Sequence, residues 1–220
     1  MSLFVPNSNS FVTNSCPGAA VQDMTVCVWL YLPSATPTNY RDIFSTIQSN
    51  GTANIALTTF TDGVTIDFGT NNSDNNGPVL PLATWNHISM TVNCLTTTSR
   101  IIKGYVNGNL VVNVSDTATF AATTTQSIGY NSTPGILNAN VRDLRYWKRV
   151  LNGVEIKSEC MSRAPTHLSG LQVWSPFDVD IYADKSGNGF AWTNTGCSLQ
   201  GLSSPRANPA WMKRSSRIFF

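Results

Sequence analysis

The chain has 220 residues, enough for one β-sandwich domain with its own core, and a formal net charge of +2 at neutral pH. So small a charge excludes the broad basic surface that nucleic-acid binding as a main role would need. Only 12% of the residues are charged while 41% are hydrophobic, which is typical of an ordered protein with an uncharged polar surface.

The N-terminus and the cysteines predict where the protein is made. The first ten residues lack the basic and apolar regions of a signal peptide, and no stretch reaches the ~18 apolar residues of a membrane span. Five cysteines are odd in number and contain no C-x-x-C pair. We therefore expect reduced thiols, synthesis in a host cytoplasm without a signal peptide, and no membrane insertion.

The pattern of the first third of the chain predicts strands. Residues 1–23 predict an edge strand and a loop, and residues 24–32 are apolar on both faces, which is typical of a central strand covered on both sides. Strands are also predicted over 43–48 and 54–60, and Asp62-Gly63 favours a turn into a strand over 64–68.

Residues 69–81 form a polar stretch dense in side chains that hydrogen-bond their own backbone, so we interpret them as a loop. This loop is the best candidate for ligand contact, and an ordinary surface connection is the alternative. Its candidate carbohydrate-binding residues are Asn71, Asn72, Asp74 and Asn75.

Residues 85–114 carry the clearest strand pattern. Ile88, Met90 and Val92 alternate with polar residues, and Asn107-Gly108 predicts a two-residue hairpin turn because both residues tolerate positive φ. A Thr/Ala-rich connection over 117–126 is predicted to be irregular.

The last third contains the only predicted helix. A strand is predicted over 142–147, and Asn152 followed three residues later by Glu155 has the spacing of a helix N-cap, so we place a helix over 153–160. Residues 171–177 restart the strand pattern before a sharp turn over 184–189.

Five of these segments, in this order and spacing, resemble the laminin-G-like branch of the concanavalin A-like jelly rolls over residues 24–160. They are Trp85-x-His87-Ile88, Tyr105-Val106-Asn107-Gly108, Ser127-Ile128-Gly129-Tyr130, Val141-Arg142-Asp143-Leu144-Arg145-Tyr146 and Leu151 with Glu155-Ile156. The resemblance implies an all-β sandwich of two antiparallel sheets with one short helix.

The resemblance also implies an unusual chain order. An opening strand and a D-x-S-G-N-G turn usually come first in this family, whereas here that turn occupies 184–189. We therefore expect one domain over 1–204, closed by C-terminal strands within 168–200, because a second domain of ~30 residues could hardly bury a core. This order is similar to that of laminin-G-like proteins from phage and prophage structural regions.

Catalysis is not expected. Glycoside hydrolases of the jelly-roll family place carboxylates alternately along one strand, but the only glutamates here, Glu155 and Glu159, lie on the predicted helix. Asp67 and Asp143 have no carboxylate two residues away, and His87 and His167 suggest no metal pair.

Aromatic rings next to turns are the remaining candidates for sugar stacking: Tyr130, Trp147 and Trp192. Trp147 also matches a family position that packs the short helix, so a structural role is its alternative. Calcium is the one possible cofactor, because relatives hold it through loop oxygens. The candidate ligands are Asp74 with the neighbouring asparagines, or Asp184 with Asn188.

The C-terminal segment 205–220 has two prolines, no acidic residue and an aromatic end, so we expect an extended tail that docks. It docks either on its own sandwich or on a partner. The candidate docking residues are Arg206, Trp211, Lys213, Arg214, Arg217, Phe219 and Phe220.

These features favour a non-catalytic structural and adhesion protein of a tailed phage. Such a protein would decorate the capsid or tail at the virion surface and contact other virion proteins or its own copies, with host glycans as a further candidate ligand. A free carbohydrate-binding lectin is the alternative, and a glycoside hydrolase comes third.

Overall fold

The structure, a computed structural model, describes residues 1–6, 10–35, 41–50, 53–70, 75–117, 119–129 and 137–202. Strands dominate these residues, and the prediction of an all-β sandwich with one short helix is confirmed. The elements in chain order are β1 (Ser2–Val5), β2 (Phe11–Asn14), β3 (Met24–Tyr31), β4 (Arg41–Gln48), β5 (Ala53–Thr59), β6 (Thr65–Thr70), β7 (Asn76–Val79), β8 (Trp85–Thr96), β9 (Ser99–Val106), β10 (Asn109–Asp116), β11 (Thr123–Ile128), β12 (Ala139–Trp147), α1 (Gly153–Met161), β13 (Leu171–Ser175), β14 (Thr193–Thr195) and β15 (Ser198–Gln200).

The strands form two antiparallel sheets. Sheet A has the order β10-β9-β8-β3-β12-β1-β15, and β13 pairs with the part of β12 that β1 leaves free. Sheet B has the order β14-β2-β11-β4-β5-β6-β7. The C-terminal strands thus join both sheets, since β13 pairs with β12, β14 with β2 and β15 with β1.

The core lies between the sheets and follows the two-residue period of the strands. Val26, Val28 and Leu30 of β3 face Leu57 and Phe68 of sheet B within one buried apolar cluster. The alternate residues of β3 point to the outer face of sheet A. The apolar residues on both faces of 24–32 predicted a strand that is covered on both sides. This prediction is confirmed, because seven of the eight residues of β3 are buried.

Helix α1 covers part of that outer face. The side chain of its N-cap Asn152 accepts hydrogen bonds from the backbone N–H groups of Val154 and Glu155. The Glu155 carboxylate accepts a hydrogen bond from the backbone N–H of Asn152, as the spacing predicted. Ile156 packs with Cys27 and Trp147 in a second, smaller apolar cluster. The helix has nine residues, and no helix in the described part is long and apolar enough to cross a membrane.

Two stretches that the sequence predicted as irregular contain strands. Within 69–81, β7 pairs with β6 at the edge of sheet B, and within 117–126, β11 begins at Thr123 and pairs with both β2 and β4. Polar and threonine-rich composition hid both strands, because neither stretch shows the alternation of apolar and polar residues that predicts a strand. The Asn107-Gly108 turn, in contrast, joins β9 to β10 with φ of 52° and 78°, as predicted.

Candidate functional site

A groove crosses the outer face of sheet B and encloses about 350 Å³. Strands β2, β11 and β4, with the residues directly after β4, supply its walls. Its lining residues are Phe11, Thr13, Ile47, Gln48, Ser49, Thr124 and Thr125.

The strand period and the register bring these side chains together. In β2, Val12 points into the core, so Phe11 and Thr13 point outwards. Thr13 pairs with Ser127 of β11, and Thr125 of β11 pairs with Ile47 of β4. Residues that are more than a hundred positions apart in the chain therefore lie side by side.

Small side chains lie beside the groove in the next row of the sheet. Ser127 pairs with Ser45, the two hydroxyl oxygens are 2.7 Å apart, and both residues are fully buried. Since neither serine is exposed, the pair lies next to the groove without lining it.

The lining of the groove is uncharged. Phe11 is half-buried and offers apolar surface, whereas Ile47 is only 6% exposed. The remaining lining residues offer hydroxyl and amide groups that both donate and accept hydrogen bonds. A sugar ring has the same division, with apolar C–H faces and polar hydroxyl edges. The volume is at the lower end of the range for small-molecule sites. The groove can therefore hold one or two neutral sugar rings.

The structure describes only one of the loop residues that the sequence predicted to contact a ligand. Asn71, Asn72, Asp74 and Tyr130 lie outside the described residues, as does the whole tail segment 205–220. Asn75 is described, and it stabilises the β6–β7 connection: its backbone N–H donates to Asp67 Oδ1 at 2.6 Å and its amide to the carbonyl of Phe68 at 3.0 Å.

The two tryptophans predicted to stack on sugars are buried, so the stacking prediction is wrong, and for Trp147 the alternative of packing against the short helix is confirmed. Trp147 is 0% exposed beneath α1, and its indole N–H donates to the carbonyl of His167 at 2.6 Å. Trp192 is 3% exposed, packs beside Phe177 and donates to Ser175 Oγ at 2.6 Å. Both lie next to turns in sequence, but Trp147 packs in the smaller apolar cluster with α1 and Trp192 belongs to the main core.

The predicted calcium ligands Asp184 and Asn188 hold a turn together. Asp184 Oδ1 accepts from the backbone of Trp174 and Ser186, and Oδ2 accepts from Ser186 Oγ and the backbone of Phe190. The amide of Asn188 donates to the carbonyls of Leu171 and Gln172. These bonds give both residues a structural role in the turn, and a cation at this site stays a prediction. Among the described residues, no three His, Cys, Asp or Glu side chains converge as metal ligands would.

The sheet places two carboxylates in one row across neighbouring strands, which the sequence pattern did not predict. Asp42 on β4 and Asp67 on β6 both lie in register with Thr58 of β5, so they occupy one row across three strands. They are only 1% and 4% exposed, and Asp67 is hydrogen-bonded by Asn75. A substrate in solution has no access to either carboxylate as they stand.

Asp143 and Glu159 form a second set of carboxylates, and both are ion-paired with an arginine. Arg145 is buried on the outer face of sheet A, where it pairs with Asp143 at 2.7 Å and with Glu159 of α1. Burial alone would lower the pKa of Arg145, but the neighbouring carboxylates outweigh it and raise the pKa above its ordinary value. This cluster keeps its charges and ties α1 to the sheet.

The sequence identifies the family to which this fold belongs. A laminin-G-like model of the concanavalin A-like lectin/glucanases superfamily matches residues 6–157, more than half of the chain. The chain belongs to this superfamily. The match covers most of both sheets and ends within α1, before the closing strands β13 to β15. No curated protein has significant sequence similarity to the chain.

Solved structures share this superfamily fold at low identity. The botulinum neurotoxin type G receptor binding domain is 13% identical with a TM-score of 0.53, over 72% of this chain and 41% of its own. A Trypanosoma rangeli sialidase in complex with 2,3-difluorosialic acid is 16% identical with a TM-score of 0.51, over 66% of this chain and 23% of its own. The chain therefore spans less than half of either relative, and the likeness shows the fold.

Proposed function

We propose that this lectin/glucanase-superfamily domain is a non-catalytic carbohydrate-binding domain whose ligand site is the groove on sheet B. The observation that carries the proposal is the lining of the groove: an uncharged set of hydroxyl and amide groups beside Phe11 and Ile47. A neutral sugar would place a C–H face on Phe11 and its hydroxyls on Thr13, Gln48 and Thr125. A receptor binding domain and a ligand-bound sialidase among the similar folds support this proposal.

A glycan array with and without calcium tests the proposal, followed by titration of the best sugar into Phe11→Ala and Thr125→Val variants. We expect specific neutral sugars on the array and a roughly tenfold or greater loss of affinity for Phe11→Ala, because a stacking contact is removed. Ser115→Ala, an exposed hydroxyl on β10 of the other sheet, is the matched control. An array without a specific sugar, or full affinity in Phe11→Ala, would contradict the proposal.

The non-catalytic part of the proposal rests on the carboxylates. Asp42 and Asp67 are closed to solvent, and Asp143 and Glu159 are paired with Arg145. Most glycoside hydrolases use two accessible carboxyl groups that flank the glycosidic bond. We expect no turnover of β-glucans or similar polysaccharides. Turnover that Asp67→Asn or Asp143→Asn abolishes would show that the domain is an enzyme.

We further place this domain at the surface of a tailed-phage virion, as a capsid or tail decoration that touches host glycans and other virion proteins. The cysteines support a protein that folds without disulfides: all five are free, and four of them are buried. Burial raises the pKa of Cys27 and of Cys197 to about 12, so these thiols resist oxidation at neutral pH.

Purification of particles tests the virion placement. Antibody against the domain should label intact particles after a density gradient, and host cells treated to remove surface glycans should bind fewer particles. A domain that is found only in the soluble fraction would favour the free lectin.

A further inference from the structure

The outer face of sheet A carries a second surface, at the end that α1 does not cover. Tyr31 of β3 pairs with Trp85 of β8 on one side and with Asn140 of β12 on the other, and Asn140 pairs in turn with Phe4 of β1. The three aromatic side chains in this row, Trp85, Tyr31 and Phe4, are half-buried. We call these three residues the aromatic row.

The strand period places the aromatic row on the side of the sheet away from the core. Leu30 of β3, Leu3 of β1 and Val141 of β12 belong to the apolar core, so their neighbours Tyr31, Phe4 and Asn140 point the other way. The rings of Tyr31 and Trp85 lie with their centroids 5.5 Å apart and inclined by 54°. They therefore present an apolar platform beside the polar side chain of Asn140.

An arginine lies one step further along the same face. Arg142 is two residues after Asn140 on β12 and pairs with Trp29, which is two residues before Tyr31 on β3. Arg142 is half-buried, and it forms no ion pair with any residue in the described part of the chain. Arg142 is a diagonal neighbour of Tyr31 on the same face, at about 7–8 Å between the Cα atoms.

The other buried or half-buried arginines in the described part of the chain all form ion pairs. Among the buried or half-buried arginines whose side chains the structure describes, Arg100 pairs with Asp116, Arg145 with Asp143 and Glu159, and Arg149 with Glu155. A half-buried guanidinium loses part of its hydration, and a bidentate anion is the partner that compensates it best. Arg142 is the exception that lacks such a partner.

We propose that Arg142 and the aromatic row form a second binding site, for a sugar that carries a carboxylate. The carboxylate forms a bidentate pair with the Arg142 guanidinium, and the apolar face of the sugar ring lies on Tyr31 and Trp85. Arg142 and Tyr31 are diagonal neighbours on one face of the sheet, so one pyranose ring can contact both side chains. The site is on the opposite sheet from the groove, so it does not depend on the groove being a neutral-sugar site.

Calorimetric titration of the full chain at low salt with glucuronic acid and, separately, glucose tests this site. We expect glucuronic acid to bind at least tenfold more tightly than glucose outside the groove, and the preference to weaken as salt is added. Arg142→Gln should abolish the preference, and Arg142→Lys should restore only part of it because an ammonium group cannot pair in a bidentate way. Tyr31→Leu should weaken binding of the acid and reduce the change in tryptophan fluorescence that accompanies binding.

Arg163→Gln is the matched control, because it removes the same charge from an exposed arginine on the α1–β13 connection. Melting temperatures of all variants show that each is folded. The groove variant Phe11→Ala separates the two sites: it should weaken neutral-sugar binding and leave glucuronic acid binding unchanged. Equal affinity for glucose and glucuronic acid, no binding of the acid, or the same loss in Arg163→Gln as in Arg142→Gln would overturn the proposal.

Discussion

Gly108 lies in the two-residue turn between β9 and β10 with φ of 78°, a backbone angle that β-branched residues reach only at a cost. A Cβ atom at this position would be 3.5 Å from the nearest atoms of Lys157, which is an ordinary contact. The requirement for glycine is therefore a requirement of the backbone, not of space.

Replacing Gly108 by valine should lower the free energy of unfolding by ~1 kcal/mol or more, because valine is strained at positive φ. Urea unfolding measures this change. Gly153→Ala is the control, since Gly153 begins α1 without a positive φ and has only one atom within 4 Å of an added Cβ. An unchanged midpoint in Gly108→Val would show that the turn does not need glycine.

Glu159 is the residue that links α1, the α1–β13 connection and sheet A. Its Oε1 accepts from the backbone of Thr166 at 2.9 Å and of His167 at 3.0 Å, and its Oε2 pairs with Arg145. Burial by itself would raise the pKa of Glu159, but hydrogen bonds from Thr166 and His167 and the charge of Arg145 outweigh it. The pKa is therefore held below its ordinary value.

Glu159→Gln should destabilise the protein by about 3 kcal/mol at neutral pH, because Arg145 and the connection lose a buried charged partner. A lowered carboxyl pKa contributes stability above its ordinary value of 4.5, and that stability is lost as the pH falls through the folded-state value. The difference between wild type and variant in urea unfolding should therefore shrink in acid.

Glu155→Gln provides the comparison, because its pair with Arg149 is partly exposed and should contribute about 1 kcal/mol or less. If Glu159→Gln costs no more than Glu155→Gln at neutral pH, the buried pair does not stabilise the sandwich.

At the scale of elements, the position of a strand in its sheet determines its protection. Strands β3 and β8 are buried over most of their length and are hydrogen-bonded on both sides. Strand β10 is an edge, and β7 and β14 are short edges with mostly exposed residues.

Amides of β3 and of β8 up to Val92 should therefore be among the slowest to exchange with deuterium, whereas those of β7 and β14 should exchange first. Hydrogen exchange read out by NMR or mass spectrometry measures the order. Comparable protection in β7 and β3 would mean that the sheets do not open from their edges.

At the scale of the whole molecule, the N-terminal strands pair with the closing strands. β1 and β15 are neighbours in sheet A, and β2 and β14 are neighbours in sheet B, so β15 lies beside the N-terminal strand of the chain. The tail segment 205–220 lies outside the described residues, and its docking stays a prediction.

Deleting residues 206–220 separates the two forms of docking. If the tail docks on its own sandwich, the truncated monomer should melt at a lower temperature, because apolar aromatic contacts are lost. If the tail anchors the protein to a partner, the monomer should melt as before and fail to assemble or to join particles. A truncated protein that keeps both properties would show that the tail has neither role.

The sequence by itself determined the features that depend on neighbouring residues. The Asn107-Gly108 turn, the N-cap at Asn152 and the doubly covered strand β3 follow from local backbone preference and from a two-residue period, which act over a few positions. The order of these features was also enough to predict the superfamily and the two-sheet sandwich.

The tertiary structure alone decided which side chains share a surface. Phe11, Thr125 and Ile47 meet only because β2, β11 and β4 pair in one register, and Arg142 approaches Tyr31 only through the pairing of β12 with β3. Trp147 and Trp192 looked accessible beside their turns, yet α1 and the closing strands bury them. Register and burial arise from long-range packing, so one strand's pattern shows which residues share a face but not which strand lies beside it.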